Sequence, residues 1–413
     1  MNPGREILDR VAALGRHSDS PDHYTRTYLT PAHQAAARDI AQLMRDAGMQ
    51  VRTDAVGSVI GRYEARSQGA KTLLMGSHYD SVRNGGKYDG VLGILVPIAC
   101  VAELSARGER LPVAIEVVAF SDEEGARFQT GMLASRALIG RFERSTLEHR
   151  DADGVRLADA MRDAGFDPAK IDGPSVDLAS LAAYVEVHIE QGPVLLEEGR
   201  ALGVVTSIAA GIRNTMKVTG ESGHAGTVPM PMRHDALAAA AEMIVAIEKR
   251  CKQGSTSSLV GTVGMLEVKN GTGNVIAGEV KFSVDIRAAD AQTLSTAQRD
   301  VFAELDAIAK RRGVKLEGSR THDVKPVPCT GWVQDRLAAA VERTLGGGPA
   351  RRLPSGAGHD AMILAEVTDV GMMFVRCGAG GVSHNPAETV TAEDAATARN
   401  ALLDFLRTFE PKA

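Results

Sequence analysis

Four cysteines stand in 413 residues, at positions 100, 251, 329 and 377, with no CxxC among them. That spacing offers neither a disulfide framework nor a thiolate metal site. A basic block is missing too: 47 Lys+Arg against 52 Asp+Glu leaves a formal net charge of −5, so nucleic acid is not expected as the main partner. The longest apolar run, residues 91–102, is broken by Pro97 and is too short to span a bilayer. The N-terminal MNPGREILDRVAALGR is charged and amphipathic and lacks the apolar core of a secretory signal. Internal repeats and low-complexity segments are absent. With 44% hydrophobic and 24% charged residues, the chain is expected to be a soluble, cytoplasmic globular protein. Its length calls for two or three domains. Glycine is abundant, at 43 residues, but neither GTGNVIAG nor the glycines at 346–348 carry a P-loop Lys-Ser/Thr.

Thr30-Pro31 reads as an N-cap with proline at the first helical position, opening a helix through 44 that Gly48 ends. Strand-like runs follow at 58–63, 72–75, 113–120 and 183–189, with an apolar stretch at 91–104 too long for a buried strand. Strands alternating with helices predict an α/β catalytic domain whose mixed, largely parallel sheet is flanked by helices. From about residue 211 the texture changes. Strands at 215–219, 259–268, 275–276 and 281–286, with helices at 235–252 and 291–312, fit an inserted α+β, ferredoxin-like domain. The first texture returns near 326, with a helix at 332–345, a strand at 371–375 and a final helix at 392–409. The expected division is residues 1–210 and 326–413 for the discontinuous domain and 211–325 for the insertion.

In parallel sheets, ligands bind beyond the carboxyl ends of the strands. Three polar clusters lie at such ends, and a fourth lies on a loop. GSHYDSVRNGGKYDG (76–90) puts His78, Asp80 and Asp89 after an apolar strand. A neutral imidazole and anionic oxygens suit a divalent metal, and Asp80 is placed to accept the other ring N–H of His78. The alternative is a solvated polar turn. FSDEEGARF (120–128) ends another strand in three consecutive acids. These are either a solvated helix N-terminus or a metal ligand beside a general base. YVEVHIEQG (184–192) alternates, with Glu186, His188 and Glu190 on one face, and GVSHNPAE (381–388) sets His384 on a Gly/Pro loop. Each signal alone also reads as ordinary structure. Together they fit a two-metal site, whose ions sit about 3.5–4 Å apart.

The segments GSHYDSVRNGGKYDG, DEEGARF, HIEQGP, SGHAGT, NVIAG, DIR, SGAGHDA and SHNPAE, in this order, resemble the hydantoinase/carbamoylase family of amidases, part of the dinuclear M20 metallopeptidase-like group. The resemblance spans nearly the whole chain. It implies that His78, Asp89 and His188 hold one divalent ion and Asp89, Glu124 and His384 the other, with Asp89 bridging. Glu123 then matches the general base, and Asp80 the acid that orients His78. His359 and Asp360 would support the site from behind. The insertion would serve as lid and dimer interface, with His224 polarising the substrate carbonyl in the partner subunit of a homodimer. Asn274 and Arg287 match the grip on a substrate carboxylate, for which a planar guanidinium is suited, and Gln191 and the Gly356 loop match further substrate contacts. Zn²⁺ suits the ligand set, as do Mn²⁺, Co²⁺ and Ni²⁺.

The implied reaction is hydrolysis of a linear ureido or carbamoyl C–N bond in a small carboxylate substrate, with release of ammonia. Allantoate, N-carbamoyl-L-amino acids and N-carbamoyl-β-alanine all carry that grouping. An aminoacylase or dipeptidase of the same larger group, or a non-catalytic binding relative, stand as alternatives. Departures from the family pattern are Ala277, Val228 and Leu196, none of them at a ligand or the base.

Overall fold

A computed structural model describes residues 2–253 and 258–412. The chain forms two compact units, one made of Met1–Thr206, Cys329–Leu353 and His359–Ala413, the other of Ser207–Pro328 and Pro354–Gly358.

The first unit is a mixed α/β layer structure. Its four central strands, in spatial order Ala114–Phe120, Thr72–His78, Leu181–Ile189 and Val370–Val375, are parallel. Antiparallel strands flank them, Val59–Tyr63 and Gln50–Thr53 on one side and Leu202–Ile208 on the other. The helices Pro3–Leu14, Val91–Ala106, Gly331–Thr344 and Ala392–Thr408 pack on one another and share one apolar core with the strands. Burial on both faces explains why Thr72–His78 and Ala114–Phe120 are buried at every position and read as largely apolar runs without alternation.

The expected helices and strands of this unit are present, with ends displaced by a few residues. The strand predicted to stop at 75 continues to His78, so this histidine ends the strand itself. Among the elements that the sequence reading did not locate, three show why. Pro3–Leu14 is capped by the Asn2 side chain, which accepts from Gly4 N. Gln50–Thr53 is a polar, exposed edge strand without alternation, and Leu202–Ile208 is buried almost throughout, so it has no period-2 signature either.

The second unit follows a β-α-β-β-α-β order. Ala236–Lys252 comes after the strand Ala210–Thr219, and Ala291–Arg312 lies between Glu279–Ala288 and Lys315–Asp323. Its antiparallel sheet runs Leu266–Val268, Glu279–Ala288, Ala210–Thr219, Lys315–Asp323. The single strand expected at 259–268 is broken into Val260–Thr262 and Leu266–Val268. At the break, the N–H groups of Gly264 and Met265 donate to the Ser283 hydroxyl (3.2 and 3.1 Å). A bulge of this kind satisfies the backbone where the ladder is interrupted. Gly223–His224 and Val275–Ile276 form a separate two-stranded ribbon. No helix among the described residues is long and apolar enough to cross a membrane.

Candidate metal centre

The first unit brings together His78, Asp80, Asp89, Glu123, Glu124, His188, Gln191 and His384. Parallel pairing sets the frame: His78 lies in register with Phe120, at the end of the strand that leads into Glu123 and Glu124. His188 is near the end of the next strand and pairs with Phe374. Asp89 immediately precedes Gly90, which caps the helix Val91–Ala106 at φ 67°. A Cβ on Gly90 would collide with the carbonyl and ring of His78. Only glycine lets this helix start flush against the histidine.

Asp89 is the centre of the cluster. Its Oδ1 lies 3.2 Å from His188 Nε2 and 3.6 Å from His78 Nε2. Its Oδ2 lies 3.2 Å from His384 Nε2, which is itself 3.5 Å from Glu124 Oε1. Asp89 Oδ1 and His188 Nε2 are buried and make no hydrogen bond, although buried polar atoms are ordinarily satisfied. Donors held at ~2.0–2.2 Å around a tetrahedral ion stand roughly 3.3–3.6 Å from one another, so the spacing suits ligand atoms better than hydrogen-bond partners. The orphaned atoms and the nitrogen–oxygen donor set fit divalent cations. Two potential ligand triads, His78/Asp89/His188 and Asp89/Glu124/His384, share Asp89; a third, His78/Glu123/Glu124, lies beside them.

The other ring nitrogens fix the tautomers. His188 Nδ1 is 2.9 Å from the Ile189 carbonyl and His78 Nδ1 is 3.1 Å from that of Asp80. A donated Nδ1–H leaves each Nε2 lone pair facing Asp89. The Asp80 carboxylate does further work: Oδ1 accepts from Glu123 N and Oδ2 from Glu124 N (3.0 and 3.1 Å). The helix N-terminus considered for the three acids is absent, since they occupy a turn ahead of the helix Leu133–Leu138. Asp80 therefore aims both glutamates through their backbone.

Charge and burial oppose one another here. Burial would raise the Asp89 carboxyl, but contacts with His188, His384 and His78 hold it well below the usual carboxylate range. The same Asp89 contact pushes His384 up to about 9. Burial, then the Asp89 charge, lifts Glu124 to about 7. Glu123 is raised well above its ordinary value by burial and by the Glu124 charge, against the opposing pull of His78.

The side-chain amide of Gln191 donates to Asp89 Oδ2 at 2.9 Å, while its Oε1 is buried without a partner. His359 packs edge-on against His188, ring centroids 4.4 Å apart. Sequence reasoning gave no role to Glu186, which lies behind His188 and accepts from Ser77 Oγ, Tyr184 OH and Ala361 N. It also passed over Ser383 and Glu388, on the loop that carries His384 and hydrogen-bonded around Asp89. An acid on a Gly/Pro-rich loop looks solvated, and only the fold buries Glu388.

The remaining candidates lie in the second unit. Exposed His224 pairs with Val275 in the short ribbon, next to Asn274, and its Nδ1 accepts from Gly226 N. Asn274 accepts from Thr272 Oγ1. Arg287 donates through Nε and Nη2 to Asp285 (3.1 and 3.2 Å) and through Nη1 to the Gly356 carbonyl (3.0 Å).

Residues 74–408 match the model of Peptidase family M20/M25/M40. The chain is 41% identical over 403 residues to an N-carbamoyl-L-amino acid amidohydrolase of Geobacillus stearothermophilus, covering 97% of each. It is 40% identical to an allantoate deiminase of Arabidopsis thaliana, over 97% of this chain and 81% of that protein. A solved amidase of the hydantoinase/carbamoylase family from Burkholderia multivorans superposes with a TM-score of 0.91 at 32% identity, covering 99% of this chain and 98% of that one. M20 enzymes typically depend on a pair of metal ions, which accords with the shared triads around Asp89. The chain thus belongs to peptidase family M20/M25/M40.

Proposed function

We propose that this protein is a metal-dependent amidohydrolase that cleaves the linear ureido or carbamoyl C–N bond of a small carboxylate substrate. The observation that carries this reading is the Asp89 carboxylate, set among three histidine Nε2 atoms and Glu124 with Oδ1 unsatisfied. Glu123 adjoins Glu124 in the same turn and lies within reach of His78.

His78, Asp89 and His188 would hold one divalent cation, and Asp89, Glu124 and His384 the second. Zn²⁺ suits this shell, with Mn²⁺, Co²⁺ and Ni²⁺ also compatible. Such ions, when bound, polarise a carbonyl and lower the pKa of a coordinated water. Glu123 takes a proton from the attacking water on its carboxylate, and the oxygen adds to the carbonyl carbon. The C–N bond then breaks, and Glu123 returns the proton to the departing nitrogen. Asp80, which accepts the Glu123 N–H, keeps the base aimed during both transfers. A ureido N–H would supply the partner that Gln191 Oε1 lacks.

In the same reading, residues 1–210 and 326–413 are catalytic, and 211–325 form a ferredoxin-like lid and dimerisation domain. Arg287, Asn274 and the Gly356 loop grip the carboxylate, and His224 of the partner subunit stabilises the oxyanion. Exposed apolar side chains of that unit, Val260, Met265 and Leu266 among them, support an interface between two copies. Four free, buried cysteines suit a reducing, cytoplasmic setting. Allantoate and N-carbamoyl-L-amino acids both carry a carboxylate beside a ureido group, and relatives named for each are nearly equally similar.

An ammonia-release panel on metal-reconstituted protein, covering allantoate, N-carbamoyl-β-alanine and several N-carbamoyl-L-amino acids, tests the assignment. One class should dominate, and Glu123→Ala should lower kcat on it by ~10²–10⁴-fold with metal retained. No turnover of any ureido acid by metal-loaded wild type would overturn the reading; equal rates on all would refute a selective grip.

A further inference from the structure

The loop bearing Asp89 and the loop bearing His384 come from opposite ends of the chain, yet one buried carboxylate joins them. Glu388 Oε1 accepts from Tyr88 N (2.9 Å) and Asp89 N (3.1 Å). Its Oε2 accepts from Ser383 Oγ (2.8 Å), and the same hydroxyl lies 3.1 Å from Asp89 Oδ2. Glu388 is only 3% exposed, and it gains these bonds at close quarters: a Cβ on Gly86 would overlap its carboxylate. Position 86 is thus kept free of a side chain where the acid passes. The His384 loop needs such a tether. His384 sits at φ 54°, in the left-handed region, and is half exposed, whereas His78 and His188 belong to buried strands.

We infer that Glu388 is a positioning residue for the metal centre, holding the Asp89 backbone and, through Ser383, the His384 loop in a common geometry. The inference rests on the reading of Asp89 and His384 as ligands. Its action is geometric: two backbone N–H groups and one hydroxyl are fixed by one side chain, and the ligand atoms follow. Because His78 and His188 are held by the sheet, loss of the tether falls mainly on the ion shared by Glu124 and His384.

The test is a titration of chelator-stripped full-length protein with cobalt(II) alone, read by visible absorption and by bound cobalt per chain. Wild type is expected to take two equivalents. Glu388→Ala should weaken one equivalent by roughly 10–100-fold, the range for residues that orient metal ligands, and alter its absorption bands. Glu388→Gln, which keeps an acceptor for the two N–H groups, should recover most of that affinity. Gly86→Ala, which displaces the carboxylate without removing it, should reproduce the Glu388→Ala titration, and it decides the matter if Glu388→Ala does not fold. Wild-type binding by Glu388→Ala or Gly86→Ala overturns the inference, as does a Gln variant no better than Ala. Wild type that fails to take two equivalents overturns the two-metal reading itself and this inference with it.

Discussion

The two units treat the faces of their sheets in opposite ways. In the first, the strands Thr72–His78, Ala114–Phe120 and Val370–Val375 are buried at every position. In the second, Glu279–Ala288 buries every other residue, and Lys315–Asp323 is exposed along almost its whole length. A polar side chain at the end of a doubly covered strand is therefore conspicuous, and must be partnered or bound to something. On a half-exposed sheet, an arginine or histidine needs no special explanation. Chemistry is legible in the first setting and hidden in the second.

The largest expected effect breaks this comparison down to neighbouring residues. Leu73 and Leu74 are both fully buried, so replacing either by alanine should cost ~2–5 kcal/mol in urea unfolding. In the second unit, Phe282 is buried while its neighbour Lys281 is exposed. Phe282→Ala should cost ~3–5 kcal/mol, but Lys281→Ala within about 0.5 kcal/mol of nothing. Equal costs at 281 and 282 would show that the outer face of that sheet is covered in solution.

The same contrast accounts for what the sequence could reveal. His78, Glu123 and Glu124 were visible because each ends or follows a largely apolar strand, and His188 because it lies near the end of an alternating one. The fold gathers them with Asp89 in overlapping potential ligand groups. His384 stood on a Gly/Pro loop without periodicity and gained weight only jointly with the other clusters and from the ordered family motifs. Arg287 and His224 lie on alternating or short strands, where a surface ion pair or a turn is the ordinary explanation; only the family resemblance singled them out. Glu388 was invisible because its burial depends on residues 300 positions away. The interrupted strand at 263–265 was equally hidden, since the break depends on the Ser283 hydroxyl of another strand.

A smaller effect separates buried from exposed histidines. Burial lowers His33 to about 4, despite its bond to the Ser121 carbonyl. An unfolded histidine titrates near 6.5, so the folded state holds fewer protons than the unfolded one between those values. Its contribution is fully present above about pH 6.5 and is lost as the pH falls toward 4, up to ~3 kcal/mol. Urea midpoints at pH 7 and pH 5 check the sign: wild type should lose more stability on acidification than His33→Gln. Equal losses would remove His33 as the acid-sensitive group of the first unit.

The smallest effect tests whether the exposed unit takes part in the chemistry. Arg287 presents Nε and Nη2 to Asp285 and Nη1 to the Gly356 carbonyl, a fork already held in one orientation. A fork so held loses little freedom when it meets a carboxylate. Arg287→Lys keeps the charge but not the planar pair of donors. If this fork binds the substrate carboxylate, loss of charge-assisted bonds worth ~1.5–3 kcal/mol should raise KM roughly 10–100-fold. Bound metal should be unchanged, because none of the Asp89 contacts involves this residue. Glu123→Ala should do the reverse, lowering kcat with little change in KM. If Arg287→Lys instead lowers metal content, or leaves KM where it was, substrate recognition lies with the buried unit, and the arginine is a surface ion pair with Asp285.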